Sequence, residues 1–549
     1  KQWDAYAATG TSHLMAISGL HIGLAASALF LLAWGVSSAL PGRRNCRDHA
    51  LVAALLAAVA YAAMSGFAVP ARRACVMVFL AAFVTLRRRE ISPSILLAMT
   101  AAIVFLADPL TLLTPGFKMS FAAVAVLFVI ANRHLVIPLS GPLAKPCAGL
   151  LRLSQVQLGL LAGLLPLTVA LFERFSAIAP FVNILVLPVF NFVTVPFSIA
   201  GALLDGPLSP VGDQFLKAAH QSIELVLAIV SFAAKNDWLS FRTAVPVSWF
   251  VLLLPLLQIL LPAGWPGRRL VLLAVLAIVT ARPKPLPSDC FDYHVLDVGQ
   301  GLAVVVQTRE HALLFDTGPS FQSGNNTAEM VVNPFLQHAG IDRLDVIVVS
   351  HGDLDHAGGI QAMIRSTTVG RVLTGEYLPS LGIAQKPCFA GQTWQWDGID
   401  FRVLHPRVAT AWQRNNASCV IEISAGKHRL LLTGDIESPV EILLQHRQKF
   451  RQSHAVVVPH HGSRTSSSAA LVDGTAPAVA IVSASRTNRW GFPREDVVTR
   501  WQVAGARVVN TGQAGAISQQ LCRDRPPGSL KTARSVHRRY WHDTPLDRW

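Results

Sequence analysis

From residue 15 to residue 281 apolar positions run together in about ten segments; beyond residue 288 they shrink to short runs that end in polar clusters. Residues 15–39, 50–69, 156–172, 177–204 and 215–234 are each near or above the roughly 17 residues that a membrane-spanning helix needs. Residues 74–86, 248–261 and 270–281 are shorter and read as tilted partners, half-helices or re-entrant pieces. The run Arg282-Pro-Lys-Pro-Leu-Pro-Ser288 is a stiff polar linker that closes the apolar part. The organisation expected is a polytopic α-helical membrane domain over 1–282, a linker over 283–288, an α/β domain over 289–522 and a basic, disordered tail over 523–549.

Composition strengthens that division. A chain of 549 residues with 52% hydrophobic and only 14% charged residues is too apolar for an ordinary soluble enzyme. Its formal charge of +15 favours an anionic partner, although basic membrane loops consume much of the excess. With Arg43, Arg44 and Arg47 in the cytoplasm, strict alternation puts Arg87 to Arg89, then Arg133, Lys145 and Arg152, then Arg268 and Arg269 on the same side. The opposite loops are poorer in basic residues, as the positive-inside rule requires, and ten spans leave everything after Pro283 outside the membrane. An opening at Lys1 without a signal peptide is expected of a fragment of a longer protein. The seven cysteines have no paired short spacing, which argues against a zinc ribbon. Cys46, Cys75 and Cys147 belong to the membrane part, and Cys419 reads as a small core residue. Cys290, Cys388 and Cys522 are able to pair in an oxidising compartment.

Two segments depart from a plain helical bundle. Asn183-Ile-Leu-Val-Leu-Pro188 is echoed by Asn191-Phe-Val-Thr-Val-Pro196, and each proline frees a carbonyl that hydrocarbon cannot satisfy. Broken helices of this kind line a pathway, the plainer alternative being kinks repaired by neighbouring helices. In Gly10-Thr-Ser-His-Leu-Met-Ala-Ile-Ser-Gly-Leu-His-Ile-Gly23, His13 and His21 fall on roughly one side of a helix, and Gly19 with Gly23 forms a small-xxx-small packing pattern. Intramembrane ionisable groups are pathway candidates, or else packing histidines bonded to a neighbour.

Chemistry concentrates after the linker. Val346-Ile-Val-Val-Ser-His-Gly-Asp-Leu-Asp-His-Ala-Gly-Gly359 ends an apolar strand in His351, Asp353, Asp355 and His356. Imidazoles and carboxylates together suit zinc, manganese or iron. Leu430-Leu-Leu-Thr-Gly-Asp435 and Val456-Val-Val-Pro-His-His-Gly-Ser463 are further strands ending in a carboxylate and in paired histidines. His460 and His461 are neighbours that point apart, so one of them is expected on a metal, His461 by preference; His460 is then left to meet a phosphate or serve as acid. Asp355 is a ligand or water-orienting carboxylate, and Asp435 a further or bridging one. Arg402, Arg407, Arg414 and Arg464, interleaved with Trp394, Trp396 and Trp412, suit single-stranded nucleic acid as well as they suit a solvated face over a tryptophan core. No Gly-x-x-x-x-Gly-Lys-[Ser/Thr] phosphate loop occurs.

The three strand ends resemble the metallo-β-lactamase fold, an αββα sandwich with its ligands on loops at one edge. Leu296-Asp-Val-Gly-Gln-Gly301, Leu314-Phe-Asp-Thr-Gly318, Gly10 to Gly23, Gly116-Phe-Lys-Met-Ser-Phe121 and the Asn183 to Pro196 segment resemble the ComEC family of bacterial DNA-uptake channels. The resemblance implies an inner-membrane channel for single-stranded transforming DNA, with a metal-dependent nuclease degrading the other strand on the periplasmic side. It further implies contacts with membrane lipid and other DNA-uptake proteins, and self-association into a homo-oligomer. The general fold prefers His-x-His-x-Asp-His; here Asp353 takes the second histidine's place. Leu302 and Phe492 stand where an acidic residue and a histidine are common, and no third histidine lies between Asn415 and Cys419. These departures point to one or two ions, manganese before zinc. The rival readings are a membrane hydrolase of another phosphodiester or lipid headgroup, and a solute transporter carrying a metal-sensing module.

Overall fold

A computed structural model describes residues 2–15, 19–39, 45–131, 144–172, 174–204, 209–235, 240–242, 285–379, 382, 384–407 and 413–538. The chain divides into two compact units, Lys1–Ala281 and Arg282–Trp549.

Apolar runs of sufficient length become helices in the first unit because a helix satisfies every backbone polar group within its own segment. Gly19–Ala39, Cys46–Met64, Ala148–Phe172, Ala179–Leu204 and Ser209–Ala234 are long and apolar enough to cross a membrane, and Pro93–Ala107 and Pro115–Ala131 are shorter apolar helices. Val69–Leu86 is one 18-residue helix that begins before residue 74, since Arg72 and Arg73 interrupt its apolar run without ending it. Residues 248–261 and 270–281 lie outside the described residues. Leu31, Leu32, Leu106, Leu203 and Phe232 stand exposed, a surface that suits lipid. Alanines dominate one buried seam, where Ile22 and Ala26 meet Ala54, Ala58, Ala62, Ala71 and Ala74; small residues let helices approach closely. A Cβ at Gly19 would stand 2.8 Å from Arg73 Nη2 and 3.1 Å from Ala74 Cβ, whereas one at Gly23 would meet nothing within 4 Å, so only the first glycine is a packing point.

The Asn183 to Pro196 segment is not broken, contrary to the reading of its prolines. Ala179–Val189 passes through a π-turn, Phe190–Thr194, into Val195–Leu204. One wider turn accommodates the lost donors, and π-turns of this kind recur at functional positions.

The second unit is an αββα sandwich. One sheet runs Lys531–Thr532, Ile517–Cys522, Cys290–Val295, Val304–Gln307, Ala312–Phe315, Arg343–Val349, Thr368–Thr374, Lys386–Pro387; the other runs Arg507–Asn510, Val479–Val482, Ala455–Val457, His428–Leu432, Val420–Ala425, Ile399–His405, Thr393–Trp396. Alternation along the strands sends Phe291, Tyr293, Phe315, Phe401, Ile421 and Leu432 into the space between the sheets. The opposite faces pack on helices, Leu314 and Ile347 against Leu336 and Met363, and Val456 and Ala480 against Val440, Leu444 and Trp501.

Parallel pairing in one half of each sheet positions the site. Phe315 is in register with Val348, and Val457 with Ile481, so the carboxyl ends of these strands finish at one edge. Ligand-binding loops gather at that end of parallel strands.

Two expectations for this unit need correction. The segment after Cys522 is ordered as far as it is described: Lys531–Thr532 adds a strand beside Ile517 and Ser518, and the Arg534 guanidinium donates to the Gly512 and Gln513 carbonyls at 2.6 and 2.8 Å. Cys419 is buried, as a small core residue would be, but it is also bonded to Cys388, while Cys290 is bonded to its register partner Cys522. Which cysteines pair depends on sheet neighbours that are distant in the chain.

Candidate metal centre

Five strand ends and one turn supply the site. Arg343–Val349 ends in Ser350 and His351 and leads, through an extended Asp353, into the short helix Leu354–Ala357 that carries Asp355 and His356. His428–Leu432 delivers Asp435, and Ala455–Val457 delivers the turn Pro459–Gly462, whose two histidines both adopt left-handed backbone conformations. Ala312–Phe315 ends in Asp316, Val479–Val482 in Ser483, and the turn Arg414–Ala417 leads to Ser418. The Asp297 to Gly301 turn supports the ligand loop from behind: Leu302 N donates to the Asp355 carbonyl at 3.1 Å, and a Cβ on Gly301 would collide with that carbonyl.

Each inward-facing imidazole is tied at Nδ1 and open at Nε2. His356 Nδ1 donates to Asp316 at 2.8 Å, and His461 Nδ1 donates to the Ser483 carbonyl at 2.7 Å. Ser350 Oγ spends its proton on Asp316 at 2.7 Å and therefore accepts from His351 Nδ1 at 3.0 Å. The Nε2 atoms converge on carboxylates: His356 lies 3.2 Å from Asp435, and His461 lies 3.2 Å from Asp355 and 3.6 Å from Asp435. His356 Nε2 and His461 Nε2 are 3.3 Å apart, and His351 Nε2 is buried without a hydrogen-bond partner among the described residues. Two overlapping groups result, His351–His356–Asp435 and Asp355–His356–His461, each with its ligand atoms within 4.8 Å of one another. With every Nδ1 proton committed outward, the Nε2 atoms and carboxylate oxygens gathered in this buried pocket form a donor set that fits a divalent metal, whose binding would displace the Nε2 protons.

The charges hold one another in place. Burial works against charge on His356, but the Asp435 and Asp316 carboxylates outweigh it and hold the imidazole well above its ordinary value. Burial likewise opposes charge on Asp435, and His356 and His461 outweigh it to hold that carboxyl well below the usual range. His461 is raised and Asp355 lowered in the same way, against burial, chiefly by Asp435 and by the His461 hydrogen bond respectively.

The remaining sequence candidates fall around or away from this cluster. Asp353 is at the rim, 53% exposed, with one oxygen 3.6 Å from His351 Nε2. His460 sits outside both groups, held by Thr465 at 3.2 Å and by Asn415 and Glu437 at 3.4 Å. Arg414 is exposed on the loop that carries Asn415, and Arg464 is exposed while donating to Asp496 at 3.1 Å. Arg402 is paired with buried Glu422 at 3.2 Å, and Trp394 and Trp396 pack on Phe401 at the edge of the core. Trp412 lies outside the described residues.

In the membrane unit His21 is buried and donates from Nε2 to Asn191 Oδ1 at 3.0 Å across 170 positions, beside Tyr61 and Phe190. Asn183 is buried with Oδ1 unpartnered among the described residues. His13 does not share this environment: it sits on a separate short helix, exposed, bonded to the Gly10 carbonyl at 3.0 Å.

Sequence reading missed Asp316, Ser350, Ser418 and Ser483, which orient or back the cluster; Asp316 alone carried a signal, an apolar strand ending in Asp-Thr-Gly. It also missed Arg73, which is 7% exposed in an apolar helix, with Nε and Nη1 unpartnered among the described residues and its guanidinium 5.7 Å above the Phe121 ring.

A two-sheet sandwich with histidines and aspartates at one edge, joined to a polytopic helical unit, defines a membrane protein carrying a metallo-β-lactamase-type domain. Residues 296–485 match the metallo-β-lactamase superfamily and residues 1–268 match the competence protein family. The chain is 33% identical to competence protein ComA of Neisseria gonorrhoeae over 99% of its own length and 75% of that protein. It is 29% identical to recombination protein 2 of Haemophilus influenzae, over 95% of its length and 70% of that protein. Against the uncharacterized protein YcaI of Escherichia coli it is 32% identical over 92% of its length and 66% of that protein. The chain belongs to the ComEC-like competence proteins.

Proposed function

We propose that the chain admits single-stranded DNA through its membrane unit and hydrolyses the phosphodiesters of the excluded strand with its C-terminal unit. The observation that carries the reading is the convergence of His351, His356, His461, Asp355 and Asp435, every imidazole fixed at Nδ1 and open at Nε2. These residues would hold one or two divalent ions, the carboxylate share favouring manganese over zinc. A bound ion supplies charge stabilisation for phosphoryl oxygens and lowers the pKa of a water at the site. Asp355, reaching in from the short helix, orients that water. His460 stands outside the ligand groups, within reach of a leaving oxygen, and its Thr465 and Asn415 bonds set the ring's orientation. Arg414 and Arg464, exposed next to Asn415 and the His460 turn, would meet phosphates.

The buried His21–Asn191 pair at a π-turn, with Asn183 Oδ1 unpartnered among the described residues, supports a polar pathway in the membrane unit. His13, exposed on its short helix, is assigned to the entrance of that pathway. Two disulfides and the basic loops favour a C-terminal unit on the periplasmic face of the inner membrane. There it would meet DNA before entry, together with other uptake proteins, lipid and further copies of itself.

The purified full chain should cleave single-stranded DNA when supplied with manganese, and should lose that activity on chelation or in Asp355→Ala. Preference for a lipid phosphodiester, or cleavage that survives both treatments, overturns the reading.

A further inference from the structure

The loop between the Val479–Val482 strand and the Glu495–Val503 helix is fastened at several points. Asn488 Nδ2 donates to the Ser485 and Phe492 carbonyls at 3.0 and 2.7 Å, and Phe492 N returns a bond to Asn488 Oδ1 at 2.9 Å. Arg494 N donates to the Gly462 carbonyl at 3.0 Å, which joins this loop to the turn bearing His460 and His461. That junction is tight: a Cβ on Gly462 would stand 2.6 Å from Pro493 Cβ.

On this scaffold cations and aromatic rings alternate. Arg489 lies 4.3 Å over the Trp490 ring, and Arg494 lies 5.8 Å over Phe492. Trp490, 42% exposed, is within 12° of parallel to Phe492 at 6.4 Å, and Phe492 meets His460 edge-on at 5.8 Å. The row therefore runs from exposed Trp490 to the rim of the metal centre. Of the acidic residues that follow in the chain, Asp496 is already bonded by Arg464, which leaves Glu495. Phe492 is half-buried and packs against the core on the helix side of its sheet, whereas Trp490 stands exposed beyond it. Unpaired nucleotides offer a π-face for each ring and a phosphate for each cation.

We propose that Arg489, Trp490, Phe492 and Arg494 form a stacking platform that holds the unpaired bases of single-stranded nucleic acid beside the metal centre. This rests on reading that centre as a phosphodiesterase, and it assigns single-strand selectivity to the platform. Stacking tolerates any base, so recognition depends on a base being present and unpaired.

The test uses the full chain in detergent with EDTA, which separates binding from cleavage. Anisotropy is read with a fluorescein-labelled thymidine oligonucleotide, the same oligonucleotide made abasic, and a duplex. Wild type should bind the thymidine strand roughly 5- to 100-fold more tightly than the abasic strand. Trp490→Ala should lose most of that preference while its affinity for the abasic strand stays unchanged, and Trp490→Tyr, which keeps a ring, should restore it. Arg489→Ala should weaken both strands and flatten the salt dependence. Equal binding of base-bearing and abasic strands by wild type, or an unaltered preference in Trp490→Ala, overturns the platform and leaves the aromatic row as a protein-docking face. Binding is read without metal, so a chain that shows the base preference here but fails to cleave when supplied with manganese defeats only the phosphodiesterase reading. A chain that cleaves without the preference defeats only the platform.

Discussion

Replacing Asp316 by asparagine tests the metal centre without touching a ligand. Asp316 is fully buried and accepts three bonds, from Ser350 N at 2.6 Å, Ser350 Oγ at 2.7 Å and His356 Nδ1 at 2.8 Å. Asparagine has the same shape, so no cavity forms, and its Oδ1 can still accept from Ser350 N. Its Nδ2 is a donor where the carboxylate accepted, and His356 must answer by presenting a bare Nδ1. The ring proton then moves to Nε2, which lies 3.2 Å from Asp435 and belongs to both ligand groups. Loss of a partner behind a metal-binding histidine lowers affinity about 10- to 100-fold, or about 1.4–2.7 kcal/mol. Competition against a chromogenic chelator, with manganese and with zinc, should show that loss in Asp316→Asn while unfolding stays cooperative. An affinity within twofold of wild type would refute the assignment of Asp316 as the group that fixes the His356 tautomer, and with it the outward-tied description of the site.

Three further outcomes follow from other parts of the molecule. Asn183→Leu with Asn191→Leu should impair DNA entry without lowering hydrolysis, because it removes the His21 partner and strands a buried imidazole at about 1–3 kcal/mol; normal uptake by an inserted protein returns the segment to helix packing. A cysteine introduced by Ser288→Cys should react with a membrane-impermeant thiol reagent in intact spheroplasts, and reaction only after lysis would place the C-terminal unit in the cytoplasm. His294, through burial, and His405, through burial with Arg447 adding against the Asn416 carbonyl bond, are each held down to about 4. Both therefore stay neutral in the folded state while the unfolded chain takes up protons below about 6.5, so stability is full above that pH and falls as pH drops toward 4. At pH 5.5 each should cost about 1.4 kcal/mol. Urea unfolding of a fragment starting at Arg282 should show this slope, and removing it should take substitution of these histidines; a slope that persists in His294→Gln with His405→Gln assigns it elsewhere.

Transfer into lipid is a sum over neighbouring residues, and so the apolar helices and their boundary near Pro283 are legible in the order of amino acids. The metal-ligating residue types are legible for a similar reason: an apolar strand that stops in histidine or aspartate marks a loop at the end of a sheet. The sequence does not state which groups meet. His356 and Asp435 are 79 positions apart, and parallel registers in two separate sheets bring them together. Of two adjacent histidines, His461 faces the cluster because a left-handed turn aims it there and the Ser483 carbonyl takes its proton, while His460 turns toward Thr465 and Phe492. Cys419 gains a disulfide, Trp394 and Trp396 pack against the edge of the core, and Lys531 joins a sheet through partners that no local pattern names. Proline at 188 announces a disturbed helix, yet that the chain widens into a π-turn and does not unwind is seen only in the structure. Local free energies select the elements and their chemistry, whereas the pairing of distant elements decides which lone pairs face each other, because that contact exists only after both sheets have closed.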